Sequence, residues 1–547
     1  MKDQQKKKEE AKKAMQSSAN RAPNPQPSCP PTPNSQLPTP NQDHPPNPNQ
    51  SSPEDEFHFR KEKLNKIREQ EDIPYKSLFK RTHRISDAFK LKPRDHEEII
   101  NNPTPEPVLI RGRLKSFRSH GNLSFANLED MSGSIQVAFM KNALGKEKYQ
   151  SLKNVDVADF ISVTGEIFIT KKGETSILAL DYALLSKTLR PLPEKFHGIQ
   201  DQEKKYRQRY LDLASNKSTR EKFIFRSKVI SFLRRFLEDR NFLEVETPIL
   251  SKTASGALAK PFLTHHNALD AEFFLRIALE TPQKKLLGGG LEKVFEIGKV
   301  FRNEGMDPSH LQEFTLLEFY EAYADFNHLK KITEDLFQKL TKDLTGSSTV
   351  EIIDHRGELI QVDFTPPYTE ISLRDIIKRD SSIDYEDHPE LKSLVTAVKS
   401  NKIDIKNIDQ LSRGNLIDSI YKKTSRHKVI KPTFITNHPV DLSPLARKSD
   451  LDPKSCDRFQ LVIGGWEIVN AYSELVDPID QRERFESQSQ ARSRGDEEAH
   501  DIDDDFVLAM EHGFPPCAGW GMGVDRLVAL LTKSENLRDV VLFPLMK

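Results

Sequence analysis

Val294 to Tyr323 reads VFEIGKVFRNEGMDPSHLQEFTLLEFYEAY, and the architecture of the chain turns on how this stretch pairs. Val294 to Glu304 alternates as a strand does, and Glu313 to Tyr320 does so again. A loop containing Gly305, Asp307, Pro308 and Ser309 separates them, which predicts an antiparallel hairpin with a long tip. Alternation sends every second side chain to one face. Arg302 and Glu304 are therefore expected on one face of the first strand, and Phe314, Glu318 and Tyr320 on one face of the second. An arginine fork beside carboxylates and an aromatic ring suits an anionic nucleotide together with a cationic partner. A sheet edge with a solvated charged face fits the same pattern.

C-terminal to this hairpin, RFQLVIGGWEIVNAYSELVDPIDQRERF (458–485) reads as a second one, punctuated by Gly464 and Gly465. Asn470, Tyr472 and Glu474 share one strand face. Glu467 has the opposite parity, and only a bulge would reconcile it with them. GWGMGVDRLVALL (519–531) is glycine punctuation, then Asp525 and Arg526, then an apolar helix; taken alone it is a helix reached through a tight turn. N-terminal to the hairpin, Glu280 stands at the end of an apolar strand and the start of an expected helix. Gly256, between two small residues, permits close backbone approach to a ligand. Phe223 to Arg240 has helical spacing and runs into FLEVETPIL (242–250), where Pro248 suits a strand end or edge. An amphipathic helix is expected near 327–345 and an inserted helical region near 388–425.

Further upstream, five short strand candidates lie at 108–113, 122–128, 134–139, 160–168 and 177–185. Five strands in so short a span fit an OB-fold barrel, whose face binds oligonucleotides through stacking surface and base-edge contacts. Phe125 lies mid-strand near Arg113 and Arg118, with Gln136 on the next strand. Phe125 as barrel core and Gln136 as an ordinary exposed residue fit equally well. Residues 188–215 read as a hinge, with Tyr206, Arg207, Arg209 and Tyr210 forming a basic-aromatic cluster. Residues 57–104 are a charged helical segment leading to Lys80, Arg81, His83 and Arg84. Residues 1–56 carry Lys6, Lys7, Lys8, Lys12 and Lys13, then twelve of the 34 prolines, and are expected to be disordered. The lysines suit sequence-independent phosphate contacts, and a solvated tail is the simpler reading.

The 547 residues carry 82 basic and 82 acidic side chains, so no bulk field drives the chain onto nucleic acid or lipid. Any RNA affinity must come from local patches. Cys29, Cys456 and Cys517 are too few and scattered for a disulfide framework and lack zinc spacing. No apolar run approaches membrane-spanning length. A soluble, cytoplasmic protein with no membrane or DNA partner is expected.

The form FRNEGxxxxHxxEFTxxEFYxAY resembles motif 2 of the class II aminoacyl-tRNA synthetases, in their lysyl-tRNA synthetase family, and the resemblance runs from about residue 60 to 547. Residues 223–250 are similar to motif 1, which implies a homodimer, and 519–531 to motif 3. The resemblance implies an α+β fold: an OB-fold anticodon-binding domain at 105–187 and a catalytic domain at 216–547, an antiparallel sheet flanked by helices. It implies ATP, magnesium, L-lysine and tRNA(Lys) as ligands. On it, Arg302 and Arg526 are catalytic, and ATP is bound by these with Glu304, His310, Phe314 and Glu467. Lysine is bound by Gly256, Glu280, Glu318, Tyr320, Asn470, Tyr472, Glu474 and Gly521. The anticodon is read by Phe125, Gln136, Glu174 and Arg113. Magnesium falls to Glu467. Where the family usually has a second acidic ligand, this chain has Gln460, a neutral amide that can coordinate but neutralises no charge. The family usually reads Ala-Pro-Glu-Leu-Tyr where residues 278–282 read Ala-Leu-Glu-Thr-Pro, which keeps the Glu280 carboxylate in an altered backbone setting. Three rivals share parts of this pattern. Aspartyl or asparaginyl relatives need a pocket for an anionic or amide side chain. A tRNA-independent lysyl transferase lacks the barrel, and a non-catalytic RNA-binding protein of the same fold would have lost Arg302, Glu304 or Arg526.

Overall fold

The structure is a computed structural model describing residues 53–69, 75, 77, 80–193, 199, 201–257, 259–305, 307–493 and 502–547. The expectations for residues 1–52, with their lysines, prolines and Cys29, lie outside the described residues. The chain divides into two compact units, Met1–Pro191 and Leu192–Lys547.

The first unit is a closed barrel preceded by helix α1 (Pro53–Glu69). Its strands are β1 (Val108–His120), β2 (Leu123–Asp130), β3 (Gly133–Met140), β4 (Phe160–Ile169) and β5 (Thr175–Ser186), in the order β1-β2-β3-β5-β4. Pairing of β1 with β4 closes it, so neither is left as an open edge. Alternation sorts the side chains. Ala126, Leu128, Val137 and Phe139 join Ile110, Val163 and Ile177 in the interior. Phe125 has the other parity and packs outside, partly buried against Ala138, Phe168 and Leu178. It is not barrel core.

The second unit is built on an eight-stranded sheet. In chain order its members are β6 (Leu243–Glu244), β10 (Lys293–Phe301), β11 (Glu313–Ala322), β14 (Thr369–Ser372), β15 (Thr433–Pro439), β16 (Ser455–Ile463), β17 (Trp466–Ser473) and β18 (Cys517–Gly523). They lie side by side as β14-β15-β16-β17-β18-β11-β10-β6, antiparallel throughout except for the outermost pairing at each edge. β7 (Leu250–Ser251), β8 (Leu263–His266) and β9 (Ala271–Leu275) form a small separate sheet, and β12 (Thr349–Ile353) pairs with β13 (Leu359–Asp363). Pro248 has no N–H to give a ladder, and the strand expected over 242–250 is cut to the short pieces β6 and β7.

One face of the sheet is covered by helices α2 (Lys217–Glu238), α4 (Phe326–Thr345) and α9 (Val524–Leu531). Leu317 and Phe319 of β11 and Trp520 and Met522 of β18 point into this core. Phe319 stacks on Trp520 at 4.9 Å and takes the edge of Phe242 at 5.0 Å. Each such pair contributes about 0.5–1.5 kcal/mol beyond area burial. Trp520 also donates to Thr333 Oγ1 at 2.9 Å, so no buried donor is wasted. Helices α5 (Leu373–Ser381), α6 (Leu391–Ser400) and α7 (Arg413–Thr424) bury their own cluster against Ile435 and Val462. Because the core takes one parity of β11 and β18, the other parity is left for the opposite face. Helix α3 (Glu280–Gly288) and helix α8 (Asp504–Glu511) pack together beside that face.

Two local departures from strict alternation matter. The first strand of the central hairpin ends at Phe301, so Arg302 and Glu304 belong to its loop rather than to a strand face. The Arg302 N–H still reaches Gln312 O at 2.8 Å. Beyond it Asp307 folds the tip on itself, accepting from the Ser309 N–H at 2.6 Å. In the second hairpin Leu461 faces Val469 while Val462 faces Glu467, which leaves Ile468 as the extra residue of a β-bulge. That bulge switches the parity of Glu467.

Candidate active site

A cavity of about 370 Å³ opens on the face of the central sheet opposite α2, α4 and α9. Its floor is the even-numbered side of β11: Phe314, Leu316, Glu318 and Tyr320. Gly519, Gly521 and Gly523 of β18 pair with Tyr320, Glu318 and Leu316 and also line it. These glycines are not turn punctuation, as their spacing alone suggests. They are the bare face of a strand whose other face carries Trp520 and Met522. A Cβ on Gly519 would lie 2.1 Å from Glu474 Oε1 and 2.4 Å from the Tyr320 ring, so no side chain fits there.

One end of the cavity is acidic. Glu280 is the first residue of α3 and is 4% exposed. Pro282 falls in the first helical turn, where a backbone N–H has no intrahelical partner to lose, so the Thr281-Pro282 variation leaves the carboxylate on the helix start. Tyr472 donates to both oxygens of Glu280 at 2.8 Å. Gly256, at φ +89°, brings its backbone so close that a Cβ would meet those of Ala278 and Glu280 at 3.1 and 3.2 Å. Glu318 accepts from the Tyr320 hydroxyl at 3.1 Å. Burial, reinforced by the neighbouring Glu280 charge, pushes its carboxyl up to about 7. Burial and the surrounding carboxylates push the Tyr320 and Tyr472 phenols well up, which keeps them as neutral donors. Asn470 lines the wall and accepts from Arg458 Nε at 2.9 Å.

Glu474 is the third carboxylate of this end, its charge acting on and acted on by Glu280 and Glu318. It follows β17, is 2% exposed, and forms an ion pair with Lys284 of α3. Only the missing side chain of Gly519 separates its Oε1 from the cavity. Lys284 went unnoticed in the sequence, although Glu280 and Lys284 have the i,i+4 spacing of a helical ion pair.

The other end is cationic and aromatic. The Arg302 guanidinium lies over the Phe314 ring at 5.1 Å, and its Nε donates to Ile277 O at 3.2 Å. Arg526 opens α9 and donates to Glu467 O at 3.2 Å. Burial lowers the pKa of both arginines. Asp525 holds the turn between them, accepting from the Thr315 N–H at 2.7 Å and pairing with Arg226 at 2.5 Å. Glu304, Glu467 and His310 complete the lining, and His310 Nδ1 lies 2.8 Å from Asp307 at the rim. Gln460 does not join them. It is 6% exposed within β16, opposite Asn470, with Oε1 unpartnered among the described residues. Among the described residues no group of three His, Cys, Asp or Glu forms a preassembled metal cluster. Glu467 and Glu304 fit a magnesium ion that takes the rest of its shell from phosphate oxygens and water, the usual arrangement for this cation.

On the barrel, Phe125, Gln136 and Glu174 share the outer wall of β2, β3 and the start of β5. Gln136 donates to Glu174 at 2.7 Å and accepts from Ser176 at 3.0 Å. Arg113 lies further along the same outer wall, across from Glu129, with its guanidinium over the Phe160 ring at 4.4 Å. The β1–β2 register, which slips between Leu114 and Ser116, sets exposed Arg118 directly opposite Phe125 instead.

A closed five-stranded barrel and an antiparallel sheet carrying two arginines above a glycine-bared strand define a class II tRNA synthetase. Residues 201–547 match the family described as tRNA synthetases class II (D, K and N), and residues 108–185 match the OB-fold nucleic acid binding domain. The chain is 43% identical over 493 residues to the lysine--tRNA ligases of Bacillus thuringiensis (strain Al Hakam) and Bacillus anthracis, 90% of its own length and 97% of theirs. The lysine--tRNA ligase of Bacillus cytotoxicus matches to the same extent. The chain belongs to the class II tRNA synthetases, in their lysine--tRNA ligase family. Enzymes of this family generally use ATP and magnesium. No helix among the described residues is long and apolar enough to cross a membrane.

Proposed function

We propose that the chain activates L-lysine with ATP and transfers the lysyl group to tRNA(Lys). The observation that carries this reading is the acidic end of the cavity, where Glu280, Glu318 and Glu474 surround space for a ligand with two ammonium groups. An aspartate side chain would meet net negative charge there, Lys284 being already paired with Glu280 and Glu474, and asparagine would leave carboxylate charge uncompensated.

In this reading the lysine carboxylate attacks the α-phosphate of ATP, the bond to the β-phosphate breaks, and pyrophosphate leaves. A terminal ribose hydroxyl of the tRNA then attacks the lysyl carbonyl and releases AMP. No side-chain nucleophile is needed; the chain contributes position and charge. Arg302 holds the carboxylate and α-phosphate together, and Arg526 takes the γ-phosphate. The adenine ring stacks on Phe314, while Glu304 and His310 fix the nucleotide. Gly521 and Gly256 let the substrate backbone approach the sheet, with Asn470 and Tyr472 beside it. Glu280 and Glu318 hold the α-ammonium, and Glu474 with Tyr320 takes the ε-ammonium. Glu467 would hold magnesium, which would supply charge neutralisation to the phosphates.

The exposed apolar side chains Leu243, Ile249, Leu250 and Leu263 around the β6 edge support a homodimer formed there. The reducing cytoplasm suits Cys456 and Cys517, both free and buried. Pyrophosphate exchange measured with each amino acid in turn should be dependent on lysine alone, from a protein sedimenting at twice the chain mass. Exchange dependent on aspartate or asparagine would overturn the lysine reading, and a monomer would overturn the dimer.

Phe125→Ala isolates the RNA step. Loss of one stacked base costs about 1–3 kcal/mol, so tRNA charging should fall roughly 5- to 150-fold while tRNA-free pyrophosphate exchange is unchanged. Because Phe125 packs outside the barrel core, the variant should keep its melting temperature within a few degrees. Equal damage to both reactions would show a structural rather than an anticodon-binding role.

A further inference from the structure

Lys284 takes no part in the reaction as described, yet its side chain is only 1% exposed. From the second turn of α3 it donates to Glu280 Oε1 at 2.5 Å and pairs with Glu474. Its ammonium lies 5.8 Å from the centre of the Tyr472 ring and 5.7 Å from that of Phe506. The groups facing this pair come from every element around it: Glu280 on α3, Tyr472 on β17, Glu318 and Tyr320 on β11, and Cys517 on β18. None of them brings a second cation. Burying an ammonium is costly, and a plain core would be served better by an apolar side chain at this position.

The two oxygens of Glu474 have different surroundings. Oε2 meets Lys284, while Oε1 lies under the bare backbone of Gly519 at the cavity wall. We propose that Lys284 is a positioning residue for amino-acid selection: it occupies one oxygen of Glu474, keeps that carboxylate charged beside Glu280 and Glu318, and leaves the other oxygen for the substrate's ε-ammonium. This role presupposes the lysine reading above. Burial pushes the Glu474 carboxyl up, the Lys284 ammonium opposes that push, and the Glu280 and Glu318 charges add to it. Burial alone would discharge Lys284, but the two carboxylates hold its pKa above the ordinary lysine value. Without the ammonium, burial and the Glu280 and Glu318 charges would favour the protonated form of Glu474, which carries no charge to pair with substrate.

The sign of the pH dependence follows. Lysine binds the ionised carboxylates, so its KM rises as pH falls through their pKa values. Glu318, near 7, titrates in this range, and burial holds the Glu474 carboxyl above its ordinary value even beside Lys284. The wild-type lysine KM should therefore rise by about tenfold or more per unit as pH falls below that point.

Pyrophosphate exchange against lysine and against ATP, from about pH 6 to 9, separates the outcomes for wild type, K284M and K284R. K284M should raise the lysine KM about tenfold or more at neutral pH, leave the ATP KM unchanged, and recover lysine affinity as pH rises. K284R, which keeps the charge, should stay within a few-fold of wild type. An unchanged lysine KM in K284M, a lower one, or lysine and ATP KM rising together would each overturn the assignment while lysine-dependent exchange of the wild type leaves the functional reading intact. Absence of wild-type exchange with lysine would overturn both. Should K284M fail to fold, K284Q takes its place, and an unchanged lysine KM in that variant would overturn the assignment.

Discussion

Arg302→Ala is expected to slow adenylate formation by about 10²- to 10³-fold, with lysine and ATP binding far less affected. The guanidinium leaves β10 through the loop that begins at Phe301, and its Nε is fixed on Ile277 O at 3.2 Å. The charged plane lies over Phe314 at 5.1 Å, so its direction is set before any substrate arrives. A donor preorganised toward developing phosphoryl charge stabilises the transition state by about 2.7 to 4 kcal/mol. Arg526 does not substitute, because its guanidinium is anchored elsewhere, on Glu467 O at 3.2 Å. Burial lowers the Arg302 pKa without threatening its charge in the working pH range, so the deficit should be independent of pH. Lysine-dependent pyrophosphate exchange reads the effect directly. Near-wild-type exchange in this variant would remove Arg302 from the chemistry.

What the sequence made legible divides along a physical line. Alternation in 294–301 and 313–322 located the central hairpin, because one face of each strand must be buried and the pattern records it. The same logic placed Glu318 and Tyr320 on one face. It misplaced Arg302 and Glu304, since nothing in a two-residue period shows where a ladder stops; the Asp307 side chain folding the loop tip decides that. Glu467 needed a bulge at Ile468, and a bulge is a register event between two strands, not a property of either. Arg118 was passed over for a similar reason: the β1–β2 slip between Leu114 and Ser116 is what sets it opposite Phe125. Gly519, by contrast, was open to discovery. Glycine at every second position from 519 to 523 spells a strand with one bare face, and a bare face over a cavity is where a ligand or a buried carboxylate comes close. Lys284 was legible too, four residues after Glu280, but its second partner Glu474 is far away in sequence and only the fold joins them.

That joining sharpens the most demanding test of substrate choice, Glu474→Gln. Glutamine keeps the shape and removes the charge. The variant should fold, because Lys284 still pairs with Glu280 at 2.5 Å. What it loses is the anion behind Gly519 that receives the lysine ε-ammonium. This ammonium has three donors, and Tyr320 can satisfy one with its oxygen but contributes no negative charge. Tyr320 and Glu474 both come within reach of the Gly519 backbone, so the substrate cannot shift to a distant partner without leaving the wall. Leaving a buried cation without its partner costs about 3 to 5 kcal/mol, or roughly 10²- to 10³-fold and more in the lysine KM. ATP binds at the arginine end, so its KM should stay within about twofold. Glu280 and Glu318 remain for the α-ammonium, so kcat at saturating lysine should fall much less than kcat/KM. Pyrophosphate exchange titrated with lysine at fixed ATP, then with ATP at saturating lysine, gives all four numbers. A lysine KM unchanged by the substitution would show that the ε-ammonium is recognised elsewhere in the cavity, and Glu280 with Tyr472 would become the pair to examine in its place.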